Sequence, residues 1–228
     1  MNLGVVVVGK VPEPGGVKTR LCPPLTPQAA AALYTAFLED TLALSHRFAA
    51  GCAPGSAVYL LHPNGAGELA PFARSGTRLL AQSGDGLGDA LAGAFDQIAA
   101  RGHAAAVVIG SDLPHMPLAN LRAAAAALDR HDVVLGPAED GGYYLIAGRR
   151  RYQPLFEGVA WSTAVVLEQT LQRAAAAGVS AGLIAPWWDV DTASELVRLA
   201  RHLAAADATV APRTRTVLAR LTAEGLRA

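Results

Sequence analysis

Only two lysines occur among the 19 basic residues of this chain, Lys10 and Lys18; the other basic residues are all arginine. Both lysines lie in one loop, Gly9-Lys10-Val11-Pro12-Glu13-Pro14-Gly15-Gly16-Val17-Lys18-Thr19-Arg20-Leu21, which opens from the apolar run Leu3–Val8. An ammonium is a compact charge with three rotatable donors, suited to phosphate oxygens that shift during a reaction. Prolines stiffen such a loop, and glycines leave its N–H groups bare enough for phosphate to approach. The plain alternative is a solvated surface loop. Stiffness, charge and position after a first strand favour a phosphate site.

Carboxylates recur where other apolar runs end. They stand in Gly110-Ser111-Asp112-Leu113-Pro114, in Glu139-Asp140-Gly141-Gly142 and in Trp187-Trp188-Asp189-Val190-Asp191-Thr192. Mg²⁺ is held by one or two carboxylates plus substrate phosphates and water. Asp112 is therefore a candidate ligand, with Asp191 or Asp189 as the second. Each carboxylate has a structural rival: Asp112 could cap a turn, and Asp191 could N-cap the helix that follows Thr192. Asp140 could be an ordinary turn residue, although its two glycines would also clear space for a substrate.

These loops need strands to carry them. Short β-branched or apolar runs at Leu3–Val8, Ala57–Leu61, Ala105–Ile109 and Val133–Leu135 are apolar on both faces, as buried parallel strands are. A further strand is expected near Leu183–Ile184. Tyr143–Ala147, after a tight Asp-Gly-Gly turn, reads as an added strand that could run antiparallel. Helical patterns lie between them, from Thr26-Pro27 to about Ala50 and over Leu87–Ala100, Leu118–Leu128, Ser162–Ala177 and Thr192–Ala205. A terminal helix is expected after Pro212. Alternating strands and helices predict a three-layer α/β/α sandwich with a mostly parallel sheet, in one domain spanning residues 1–228. Ligands of such sheets bind at the carboxyl ends of the strands, where the unusual residues are.

Composition excludes several classes. Nineteen basic and 19 acidic residues leave no net charge, against a nucleic-acid-binding face. No apolar stretch approaches the ~20 residues of a membrane span. Two cysteines, Cys22 and Cys52, make no disulfide framework and no metal spacing. The first apolar run is short and lacks a basic flank, unlike a signal peptide. A soluble, cytoplasmic protein is expected, and the sequence leaves open whether it forms a homodimer.

The basic loop, Gly110–Pro114, Glu139-Asp140-Gly141-Gly142-Tyr143-Tyr144-Leu145-Ile146, Trp161-Ser162-Thr163 and Asp189–Thr192 together resemble one bacterial family of glycosyltransferase-A-like proteins. These have the nucleotide-diphospho-sugar transferase fold and look related to 2-phospho-lactate guanylyltransferase. The resemblance covers about residues 3 to 220. It implies that Lys18 and Arg20 hold nucleotide phosphates and act with Asp112, the metal aspartate, in catalysis. It places Asp191 as the second ligand of Mg²⁺ or Mn²⁺. Gly9, Lys10, Gly15, Gly16, Thr19 and Ser111 complete the nucleotide site, with Gln82 and Gly86 from the segment Gln82-Ser83-Gly84-Asp85-Gly86-Leu87-Gly88 near the nucleoside. Two departures stand out: no downstream lysine of the pyrophosphorylases is present, and the Asp-x-Asp of many glycosyltransferases reads Ser111-Asp112-Leu113-Pro114 here.

The chemistry then divides three ways. Nucleotidyl transfer from an NTP to a small anionic or sugar acceptor needs cations on a triphosphate and on departing pyrophosphate. Three bases in one loop lean towards it. Glycosyl transfer from a nucleotide-diphospho-sugar is the alternative, and a non-catalytic nucleotide binder the second. On the acceptor side stand Asp140, Gly141, Gly142, Trp161, Ser162 and Thr163. The last two are expected to begin a helix whose N–H groups could receive an anion, a simple cap being the rival. Tyr143, Tyr144, Trp187 and Trp188 are expected near the site, at least half of them as core.

Overall fold

A computed structural model describes residues 1–63, 66–73, 76–84 and 86–223. Seven strands form one sheet: β1 (Leu3–Val8), β2 (Ala57–His62), β3 (Arg78–Ala81), β4 (Ala105–Gly110), β5 (Val133–Pro137), β6 (Tyr143–Gly148) and β7 (Ala181–Leu183). Their order is β3-β2-β1-β4-β6-β5-β7. All neighbours are parallel except β6, which runs antiparallel to both β4 and β5. The chain moves from β1 outwards to β2 and β3, then returns to the other side of β1 with β4. The loops after β1 and β4 therefore diverge from adjacent strands, which is where open α/β sheets form their binding crevice.

The helices are α1 (Pro27–Ala50), α2 (Ala70–Ala73), α3 (Leu87–Ala100), α4 (Leu118–Ala127), α5 (Val166–Ala176), α6 (Ala193–Ala205) and α7 (Pro212–Ala223). Side chains alternate across a strand, so Val5 and Val7 pack with Leu38 and Leu42 of α1 and Leu121 of α4. Val6 faces the other way, among Phe95 and Ile98 of α3 and Ala174 of α5. A third cluster joins Leu33 and Phe37 of α1 to Leu199 and Leu203 of α6 and Leu221 of α7. Buried Asp40 of α1 accepts the N–H groups of Arg213 and Thr214, capping the first turn of α7. The three-layer expectation is met, and among the described residues no helix is long and apolar enough to cross a membrane.

The elements differ from the sequence expectation in four places, the one-turn α2 being one that no periodicity signals. The short, half-covered β3 has no strong alternation to betray it. The strand expected near Leu183–Ile184 is Ala181–Leu183, at the sheet edge. Helix α5 begins at Val166 and not at Ser162, because Ser162 lies at φ 62 in the left-handed region and residues 161–165 form turns.

His115, 1% exposed, lies 4.0 Å from the Trp188 ring and 5.2 Å from the His202 ring, centroid to centroid. Neither of its ring nitrogens has a hydrogen-bond partner among the described residues. Burial, then His202 and Arg198, push its pKa down to about 3. The unfolded chain takes up a proton near pH 6.5, whereas the folded one stays neutral there, so stability is lost as pH falls from about 6.5 towards 3. Between pH 7 and 5 the loss should be about 2 kcal/mol. Urea unfolding of wild type and His115→Phe at both pH values checks this: the variant should lack that increment, and identical pH profiles would refute it.

Candidate functional site

The loop after β1 turns back over the sheet, and Lys18 adopts φ 50, ψ 37 just before a single 3₁₀ turn, Thr19–Leu21. A non-glycine residue in that conformation is strained and persists only where its surroundings hold it. The hold is electrostatic. Lys18 Nζ lies 2.9 Å from Asp112 Oδ2 at the end of β4 and 2.7 Å from Asp191 Oδ1 beyond β7. The lysine side chain is only 4% exposed, while each aspartate is about one-third exposed. Arg20, largely in solvent, bonds the other Asp191 oxygen at 3.0 Å. Burial opposes the Lys18 charge, but Asp112 and Asp191 outweigh it and hold the ammonium pKa above the ordinary lysine value. Burial would likewise raise Asp191, yet Lys18 and then Arg20 hold its carboxyl below the usual aspartate range.

A second connection ties the same loops together. Tyr34 of α1 is buried, accepts the Lys10 backbone N–H at 2.8 Å and bonds Ser111 Oγ at 2.8 Å. Ser111 Oγ in turn donates to Asp112 Oδ1 at 3.4 Å, and Thr41 bonds the Ser111 carbonyl. Burial, then Asp112, push the Tyr34 phenol up to about 12. Sequence reading missed Tyr34, although a tyrosine on the apolar face of α1 signals a hydroxyl that must find a partner.

The turn-capping and helix-capping rivals are resolved by these contacts. Asp191 does not cap α6: Thr192 does, in a capping box with Glu195, which leaves the Asp191 carboxylate to the two cations. Asp140 does serve its own turn, accepting the Gly142 N–H at 2.9 Å, and it also lines the cleft. Asp189 lines it too; burial, then Asp191, Asp140 and Asp112, push its pKa up to about 6. Two hard carboxylate oxygens thus converge on one cationic point. That donor set fits Mg²⁺ or Mn²⁺ completed by substrate oxygens and water, with Asp112 and Asp191 as the residues to hold it. Among the described residues, no three acidic, His or Cys side chains form a closed metal cage.

The cleft measures about 730 Å³. Gly9, Lys10, Gly16, Lys18, Thr19, Arg20 and Ser111 line it, as do Gly142, Trp161, Ser162 and Thr163. Gly15, Gln82, Gly86 and Gly141 do not reach the lining. Gly86 is the N-cap of α3, and the Gln82 amide turns to the Gly84 carbonyl; Asp85 lies outside the described residues. Gly141 acts in packing, since a Cβ there would meet Ala164 O at 2.1 Å. Ser162 and Thr163 offer no helix N-terminus: Val166 N–H already bonds Thr163 O and Leu167 N–H bonds Gly141 O. Trp187 and Trp188 do not line the cleft and pack around His115 and His202. Tyr143 and Tyr144 do line it.

No curated protein matches the sequence. A protein of Desulfovibrio desulfuricans G20, provisionally named a nucleotide-diphospho-sugar transferase, is 29% identical, with 98% of this chain and 96% of that one aligned at a TM-score of 0.86. CMP:2-keto-3-deoxy-manno-octonic acid synthetase, solved with CTP, shares 11% identity over 90% of this chain and 99% of its own at 0.57. A Mycobacterium tuberculosis H37Rv protein solved with manganese shares 16% over 87% of this chain and 98% of its own at 0.51. These likenesses show the nucleotide-diphospho-sugar transferase fold. Residues 47–163 match the family described as an uncharacterized protein conserved in bacteria, DUF2064. The chain belongs to that family.

Proposed function

We propose that this protein is a transferase, dependent on Mg²⁺ or Mn²⁺, that acts on a nucleotide-activated substrate. The observation that carries the reading is the convergence of Asp112 and Asp191 on one cationic point, bordered by Lys10 and Arg20 at the switch point of the sheet. A pure nucleotide binder has less need of two such carboxylates. The names of the Desulfovibrio protein and of the CTP-bound synthetase support the same class.

Charge balance inside the cleft favours a nucleotide-diphospho-sugar donor. Lys10, Lys18 and Arg20 are outnumbered there by Asp112, Asp140, Asp189 and Asp191. One divalent ion then leaves about one positive charge, nearer to balancing the about two negative charges of a diphospho-sugar than the about four of a triphosphate. When bound, the metal would supply Lewis-acid charge on the diphosphate leaving group. Lys10 and Arg20 stand to meet phosphate oxygens, while Lys18, held beneath them, positions both aspartates. In glycosyl transfer an acceptor hydroxyl oxygen bonds to the anomeric carbon as that carbon's bond to the diphosphate oxygen breaks. The hydroxyl proton passes to a cleft carboxylate, and the nucleoside diphosphate leaves with the electron pair. Nucleotidyl transfer from an NTP, with pyrophosphate release, is the second reading, carried by the three bases of one loop.

The test is a thermal-shift panel of nucleotide sugars and NTPs with Mg²⁺ or Mn²⁺. A metal-dependent shift with a nucleotide sugar, and acceptor-dependent release of nucleoside diphosphate, are expected. An NTP preference with pyrophosphate release would select the second reading. No metal-dependent shift with either class would refute both.

A further inference from the structure

The cleft is lined by chemically different segments. Lys10, Lys18 and Arg20 are its only lysine, arginine or histidine lining among the described residues, and all three belong to the loop after β1. Other lining segments contribute Leu87 and Leu91 of α3, Tyr143 of β6, Trp161 and the turn 162–164. Leu87 is 44% exposed, a large apolar side chain left open in the cleft lining. Trp161 packs edge-to-face on Tyr143 with centroids 6.3 Å apart. Its indole is admitted by Gly88, where a Cβ would stand 2.5 Å from Nε1.

Among the described residues, these segments bring no basic side chain to the lining that could neutralise an anion. The first N–H groups of α5 are already bonded to Thr163 O and Gly141 O, and the acidic residue of its first turn is Glu168. The charged side chain at hand is Asp140, on the turn whose Gly141 touches Ala164. A phosphate or carboxylate would be desolvated beside like charge, which weakens its binding. A sugar or polyol suits the same surface. Its C–H face packs on an aromatic ring and an exposed leucine, and its hydroxyls donate to a carboxylate.

Resting on the transferase reading, we infer that the group received against Trp161, Tyr143 and Leu87 is an uncharged polyhydroxy compound, a sugar or polyol bearing neither phosphate nor carboxylate. This narrows the acceptor expected from sequence, which included small anions.

The full-length protein, with Mn²⁺ and the nucleotide that gives the largest thermal shift, is offered matched pairs: glucose and glucose 6-phosphate, mannose and mannose 6-phosphate, glycerol and glycerol 3-phosphate. Release of nucleoside diphosphate or pyrophosphate is followed. At least one neutral member should exceed its phosphorylated partner by about tenfold or more. Trp161→Ala should raise the KM for that compound about tenfold. Equal or greater turnover with a phosphorylated member, or no turnover with any neutral one while the nucleotide still binds, overturns the inference alone. Absence of any nucleotide shift overturns the transferase reading and this inference with it.

Discussion

The double variant Asp112→Asn/Asp191→Asn should lose about 3–5 kcal/mol of folding stability, because it leaves the buried Lys18 ammonium without a countercharge. Each single variant should lose less, since the remaining aspartate still pairs with Nζ. Adding Lys18→Met should recover most of the loss, as replacing a buried ionic cluster by an apolar side chain of similar length is often neutral or stabilising. All these variants should lose divalent-dependent nucleotide binding, including the restabilised triple variant, since an amide is a poor ligand for a hard cation. Urea unfolding and metal-dependent thermal shift measure the two effects separately. A double variant as stable as wild type would show that the three side chains are not the ion cluster described here. A triple variant that keeps its metal dependence would remove Asp112 and Asp191 from the metal site.

Gly141→Ala should cost about 3 kcal/mol. Gly141 lies at φ +89, where a Cβ is strained, and that Cβ would fall 2.1 Å from Ala164 O and 2.7 Å from Ala164 Cα. Both are backbone atoms, so relief requires the segment leading into α5 to move, together with the Leu167 N–H bond to Gly141 O. Trp161, Ser162 and Thr163 precede that contact, so Trp161 fluorescence should change with stability. Gly15→Ala is the control. It has a similar φ of +81 but nothing within 4 Å of the added carbon, so conformational strain alone remains, about 1 kcal/mol. Equal losses for the two variants would show that the contact with Ala164 contributes nothing.

Much of the architecture was determined by local sequence. Runs such as Leu3–Val8 and Ala105–Gly110 can satisfy their backbone and bury both faces only as interior strands, and they occupy the centre of the sheet. Thr26-Pro27 opens α1, with the Thr26 hydroxyl accepting the Ala29 N–H, as the residue types require. The chemistry-bearing residues were also legible, since a basic loop and carboxylates at strand ends are rare combinations of local signals. Their partnerships were not. Whether Asp191 caps a helix or meets a cation 173 residues away depends on which residue takes the cap, and Thr192 with Glu195 takes it. Sequence presents Lys18 as a charge open to phosphate; folding places it between two aspartates, because β1 and β4 are neighbours and β7 returns to the same edge of the cleft. Ser162 and Thr163 carry a helix-start signature, but α5 starts at Val166, where the Gly141 carbonyl receives the Leu167 N–H. Residue type and spacing set which groups are available; distances between elements far apart in sequence decide which of them meet, because a charge or a donor is satisfied by the partner that folding brings within about 3 Å.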